Sequence, residues 1–359
     1  MMPKSEVRAP AATPTRTSRR AVLTALGATA LAAPFVTISG RARGADKVVA
    51  VNFGGAMGEA KRKAIYDPFT RDTGIEVVAV PGPDLAKIRA QVQSGDVEWD
   101  VVDLLDGWVP AGIRMGLLER IDDKIVDRTG CIPGARSDYA VGGSIYAGGI
   151  AYPTDRMAKT PKNWPDFWNV AAFAGRRGLR NRINDTLEIA LMGDGVAAKD
   201  VYPCDVERAF KALDRIKPAV NHWIAQTAQT VSLIQSNETD FTYTYTTRVK
   251  DMQAANVQIG YSFEQNIMGV GWAGVVKGTP RKEAAMRLCS YIAKPELQVH
   301  LTDLAGDAPV YPNMLAKVDP AVRKWLPDVG DPNNLFVNAA WWDTRVEELT
   351  RRFQEWLLT

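Results

Sequence analysis

Histidine and cysteine are scarce, with two and three respectively in 359 residues. His222 and His300 each stand without a nucleophile signature nearby, so a Ser-His or Cys-His pair has little to be built from. Neither has the neighbours that metal ligation requires, and His300 falls in a predicted amphipathic helix, where a structural role suffices. Cys131, Cys204 and Cys289 are odd in number, far apart and without a CxxC pair. That excludes a disulfide framework or zinc site and leaves buried thiols, with room for one bridge. GxSxG, HExxH and Walker patterns are missing as well. With them goes the case for an enzyme, a bound cofactor or a resident metal. A clustered basic face is also absent, which argues against a nucleic-acid partner.

One apolar run reaches appreciable length, from Ala21 to Ile38. It follows Ser18, Arg19 and Arg20 and leads to small residues at Ala42, Gly44 and Ala45. Paired arginines ahead of a modest apolar stretch resemble the twin-arginine export signal, with Ala42-Arg43-Gly44 as a cleavage site. A membrane anchor is the alternative, because the run approaches the roughly 20 residues that span a bilayer. Gly27, Pro34 and several threonines dilute it, and no cysteine lies near the boundary to carry a lipid. Residues 1–45 are therefore expected to be a signal, and the remainder a released periplasmic protein. The segment takes seven of the 44 Lys and Arg and one of the 41 Asp and Glu, so the net charge of +3 becomes −3.

About 314 residues follow, enough for two domains of roughly 100 to 200 residues each. Apolar strand-like runs at Lys47–Asn52, Ile75–Val80 and Trp99–Leu105 alternate with helical spacing at Ala56–Asp72, at a segment opened by Pro83 and ending near Gly95, and at Trp108–Gly116. Such alternation implies βαβ units on a mostly parallel sheet. Farther on, Thr186–Met192, Asp205–Ile216 and Lys282–Ala293 read as helices, and Phe241–Tyr245 as a strand with Phe241, Tyr243 and Tyr245 on one face. Gln258–Tyr261 and Ala273–Lys277 read as two further strands, and Asn338–Leu358 as one long amphipathic helix. No repeat or low-complexity segment interrupts the series.

The stretches "AIYDPFTRDTGIEVVAV" from Ala64 and "WDVVDLLDGWVPAGIRMGLLERID" from Trp99 resemble bacterial periplasmic solute-binding proteins of the spermidine/putrescine type. The likeness continues in order through the segments at Thr160, Thr186, Gly271 and Pro295, and so covers nearly the whole mature chain. It implies an α/β fold of two lobes forming a clamp, with mixed, mostly parallel sheets and strands crossing between the lobes. Lobe 1 is expected over residues 46–148 plus about 275–315, and lobe 2 over 149–274 plus about 316–359. The resemblance further implies a monomer that closes on a ligand and docks on an ABC permease in the inner membrane, for transport or for sensing.

Ligands of open α/β sheets sit beyond the carboxyl ends of the strands. That rule selects Phe53 and Gly54 after the first strand, and Asp106 and Trp108 after the third. The glycines at 54 and 55 could instead cradle a phosphate or simply make a tight turn. Trp108 is either core or a cation-π partner for an organic cation. From the second lobe, family alignment selects Arg182, Asp185, Tyr245 and Arg248, with Trp272, next to Gly269-Val270-Gly271, as a further candidate whose facing toward the cleft is left open.

Polyamine binders of the family hold an amine with two carboxylates at the positions of Arg182 and Asp185, so here one acid has become a base. A further family acid matches Gly269-Val270-Gly271 and is absent. The main expectation is capture of a small organic cation. The alternative is an amino-acid-like solute held through Arg182 and Asp185, since guanidinium grips carboxylate in bidentate fashion. Arg182 facing solvent remains open. Ferric-ion binding through Tyr243 and Tyr245 is a third reading.

Overall fold

The computed structural model describes residues 47–359, so the expected signal segment lies outside the described residues. Ten strands form the sheet: β1 (Lys47–Asn52), β2 (Glu76–Pro81), β3 (Val101–Leu104), β4 (Arg136–Ser137), β5 (Ala140–Pro153), β6 (Arg177–Arg180), β7 (Val220–Ile224), β8 (Phe241–Tyr245), β9 (Ile259–Val275) and β10 (Leu335–Phe336). They follow one path, β2-β1-β3-β9-β5-β8-β6-β7, with β10 beside β9 and β4 beside β5. The ends of this path are parallel: β1 pairs with β2 and β3, and β6 with β7 and β8. Its centre is antiparallel, where the two longest strands, β5 and β9, run against each other from Val141↔Ala273 to Pro153↔Ile259.

The segments expected as two strands at Gln258–Tyr261 and Ala273–Lys277 are the two ends of β9. Ser262, Glu264, Gln265 and Asn266 hide the continuity, because they interrupt the apolar pattern that marks a strand.

β5 and β9 each serve two cores. Val141, Ile145 and Ala147 of β5, with Met268, Val270 and Val275 of β9, pack into clusters built from residues between 48 and 147 and between 268 and 314. Ile150 of β5 and Ile267 of β9 belong to a separate core with Trp164, Leu187, Phe241, Trp342 and Phe353. The changeover falls at Gly148 and Gly149, where the β5–β9 register shifts. Added Cβ atoms there would lie 2.3 Å from Tyr243 Oη and 2.5 Å from Tyr261 Oη, so only glycine admits those rings against the strand.

Helix ends follow their sequence signals. The Asp84 side chain accepts from Lys87 N at 2.8 Å and caps Leu85–Ser94, Gly95 ends that helix at φ 75°, and Asp205 accepts from Arg208 N at 3.0 Å to cap Val206–Ile216. The expected closing helix is broken into Ala339–Trp342 and Val346–Leu358. The break lets Trp342 sit fully in the core while Leu349 and Phe353 reach the same cluster. Among the described residues no helix is long and apolar enough to cross a membrane. All three cysteines are free, with Cys204 and Cys289 buried and Cys131 partly so.

Candidate functional site

A cleft of about 310 Å³ opens between the two cores. The turn after β1 presents Phe53, half of whose surface is exposed, and helix Gly55–Lys61 adds Met57 and Lys61. Lys61 Nζ lies 2.5 Å from Asp103 Oδ2 on β3. Burial pushes the Asp103 carboxyl up, and the Lys61 ammonium opposes that push. β5 contributes Ser144 and Tyr146, and the segment after helix Pro295–Ala305 brings Asp307. Burial raises the Asp307 carboxyl to about 6. Among the described residues its hydrogen-bond partner is the Ser144 hydroxyl, at a weak 3.4 Å, and the Lys61 and Lys250 ammoniums act on it only through space.

The opposite wall comes from the other core. Arg182 donates through Nη2 to Asp185 Oδ2 and to Tyr245 Oη, the latter at 2.6 Å. The geometry depends on a kink. Asn184 has ψ 141° and Asp185 has φ 66°, so regular helix in Ile183–Gly193 begins only at Thr186. A non-glycine residue at positive φ is strained, and here the strain turns the Asp185 carboxylate toward Arg182. Arg248 is exposed into the cleft from helix Thr246–Ala254, and Thr227 and Thr247 add hydroxyls. Behind them, buried Arg180 donates to Thr227 Oγ1 at 2.9 Å and to Ala225 O at 3.1 Å, fixing the loop that carries Thr227.

Asp106 does not project freely into this cleft. Its Oδ2 accepts from Tyr146 Oη at 2.8 Å, and its Oδ1 accepts from Trp272 Nε1 at 2.9 Å and from Val270 N at 3.2 Å. Burial still raises its carboxyl to about 6, against those three donors. The arrangement also requires a glycine at 269. A Cβ at Gly269 would lie 2.2 Å from Tyr146 Oη and 2.3 Å from Asp106 Oδ2. Trp272 lines the cleft while its indole N–H is committed to Asp106.

Of the residues selected from sequence, Phe53, Arg182, Tyr245, Arg248 and Trp272 line one cavity. Asp106, Trp108 and Asp185 line an adjacent one that shares Leu105, Tyr146 and Arg182 with it. Gly54 lines neither. At φ 70° it shapes the turn, with its N–H bonded to Asn52 Oδ1 at 2.8 Å. Tyr243 is fully buried in the core and does not accompany Tyr245 into the cleft. Among the described residues no cluster of His, Cys, Asp and Glu could hold a metal ion.

Sequence reasoning missed Tyr146, Lys61 and Asp307. Tyr146 lies inside a glycine-rich segment without strand-like alternation, and Asp307 sits in a loop far from every motif. The Gly54–Lys61 turn and helix start were the only signal for Lys61.

Residues 64–326 match the family model described as bacterial extracellular solute-binding protein. A gamma-aminobutyric acid-binding protein of Pseudomonas aeruginosa is 33% identical over 322 residues, covering 87% of this chain and 91% of its own. Among solved structures, the Atu4243-GABA receptor has 31% identity and a TM-score of 0.81, covering 87% of this chain and 97% of its own. The binding protein AgtB from Agrobacterium tumefaciens R10, in complex with agropinic acid, has 30% identity and a TM-score of 0.75, with coverage of 88% and 99%. The fold is that of the two-domain periplasmic binding proteins. The chain belongs to the bacterial extracellular solute-binding protein family, as an ABC substrate-binding protein and not an enzyme.

Proposed function

We propose that the protein captures a small amino carboxylate of the 4-aminobutyrate class in the periplasm and delivers it, as a monomer, to an ABC permease. The observation that carries this reading is a charge pattern. One wall of the cleft offers Arg182, Tyr245 and Arg248, and the other offers Asp307, a carboxylate with no cation in hydrogen-bonding contact among the described residues. A carboxylate on the first group and an ammonium on the second would each be paired, and the half-exposed Phe53 would cover the methylene chain between them. Because the groups come from both halves, a ligand bridging them favours the closed form.

The polyamine reading fits less well. Burying an ammonium without a partner costs several kcal/mol. Asp103 is paired with Lys61, Asp185 with Arg182, and Asp106 is held by three neutral donors, so few carboxylates remain for a second or third amine. The names of two of the relatives above point the same way, toward gamma-aminobutyric acid. Calorimetry with 4-aminobutyrate, putrescine and spermidine tests the proposal. Saturable binding of 4-aminobutyrate that is lost in Arg182→Met is expected, whereas tight spermidine binding without any response to 4-aminobutyrate rejects it.

A further inference from the structure

The gripping wall carries more positive charge than its contacts neutralise. Arg180 ends β6, and Arg182 follows two residues later in extended backbone at φ −158° and ψ 147°, so the two side chains leave one face of the chain. Arg182 is bonded to Asp185, and that pair is electrically neutral. Arg180 has no such partner. Among the described residues it donates only to neutral oxygens, Thr227 Oγ1 and Ala225 O, and its buried Nε has no acceptor.

Arg177, on the same strand, shows how the fold treats a buried guanidinium that only supports structure. Its Nε, Nη1 and Nη2 each donate to a backbone carbonyl, and the rings of Phe167 and Phe241 lie against it. Arg180, 5% exposed, is left less complete beside the cleft. Burial and the neighbouring Arg182 charge both disfavour its cation, yet a guanidinium does not give up its proton. The carboxylate that acts on Arg180 through space is Asp185, already bonded to Arg182, so two guanidiniums share one acid. Arg248 also faces the cleft, but it is exposed and water screens it, whereas a buried charge is screened far less.

We propose that Arg180 determines the specificity of this wall without touching the solute: its unneutralised charge favours a carboxylate at Arg182 and repels an ammonium there. Arg180 lines neither cavity, while Thr227, which it holds, lines the cleft. It is therefore a positioning residue as well as a source of field. The inference rests on the amino-carboxylate reading of the cleft.

The test uses 4-aminobutyrate, its neutral isostere 4-aminobutanamide, and putrescine, with calorimetry run directly for the first and by competition for the other two. Arg180→Gln keeps a side-chain donor and removes the charge. It should weaken 4-aminobutyrate by about tenfold or more, leave the amide within about threefold and narrow the gap to putrescine. Arg180→Lys, which keeps the charge, should restore most of the preference for carboxylate over amide. Asp185→Asn has the opposite sign: with the shared acid neutralised, that preference should rise, and this variant decides the question if Arg180→Gln does not fold. Equal weakening of carboxylate and amide in Arg180→Gln marks a purely structural role and overturns the inference. A preference that stays level or falls in Asp185→Asn also overturns it, as does a wild-type protein that binds amide and carboxylate equally well. Failure of the wild-type protein to bind 4-aminobutyrate at all overturns the reading of the cleft, and this inference with it.

Discussion

Two carboxylates of the site, Asp106 and Asp185, are both buried, yet they are held in opposite ways. Asp106 is met by neutral donors from a tyrosine, a tryptophan and a backbone amide, all on the unstrained central strands β5 and β9. Asp185 is met by a cation and sits at φ 66° within a broken helix start. The first is a fixed wall, since neutral donors immobilise a carboxylate without cancelling its charge. In the proposed reading the second belongs to the gripping surface, because its partner Arg182 still presents a guanidinium to the cleft. Counting acids and bases therefore cannot assign a ligand. What matters is which charges the fold has already used.

Removing Arg182 tests the gripping side most severely. Arg182→Met should lower affinity for 4-aminobutyrate by about 100-fold in calorimetry, because it deletes the carboxylate partner and leaves Asp185 buried without its cation. Comparable affinity in this variant would move the ligand's carboxylate to Arg248. On the fixed side, Gly269→Ala drives a methyl into Tyr146 and Asp106, with an expected loss of about 1 to 3 kcal/mol in thermal or denaturant unfolding. An unchanged melting curve would mean that this wall is soft.

Asp307→Asn should weaken the zwitterion by about tenfold and nearly abolish its pH dependence. The sign follows from burial. Asp307 titrates at about 6, so the carboxylate that meets an ammonium forms only as pH rises through that value, and wild-type affinity should climb between pH 5 and 7. Stability runs the other way. The raised folded-state values of Asp106 and Asp307, against an ordinary carboxyl near about 4, mean that the native state binds protons more tightly than the unfolded chain. Stability should accordingly fall as pH rises from about 4 to 6, while binding strengthens. Denaturant midpoints at the two pH values, with and without ligand, separate the effects. The smallest change is expected at the rim, where Arg114→Ala breaks a pair with Asp343 whose arginine is about half exposed and should cost under about 1 kcal/mol of stability.

The alternation of apolar runs and helix caps made β1, β2, β3 and the helices between them legible, because short-range periodicity dictates them. β9 was not legible as one strand, since its middle is polar where it passes between the two cores and bonds to Asn334 through Asn266. The closing helix was drawn too long for a related reason. Its apolar spacing continues through Asp343–Arg345, while packing of Trp342 into the core breaks it. In the site, Arg182 and Tyr245 were found through their neighbours in sequence. Asp106 was given a freedom it lacks, because the three donors that hold it come from residues 40 to 166 positions away. No local pattern carries that information.

The bonds from Asp106 to Val270 and Trp272 join a turn in the first third of the chain to a strand in its last third. The fixed position of Asp106 behind Tyr146 consequently depends on β9. A polypeptide truncated just before it would retain β1 to β3 and the Asp106–Tyr146 bond, yet Asp106 would lack two of its three donors. That side of the cleft is thus assembled only after about three quarters of the chain is in place.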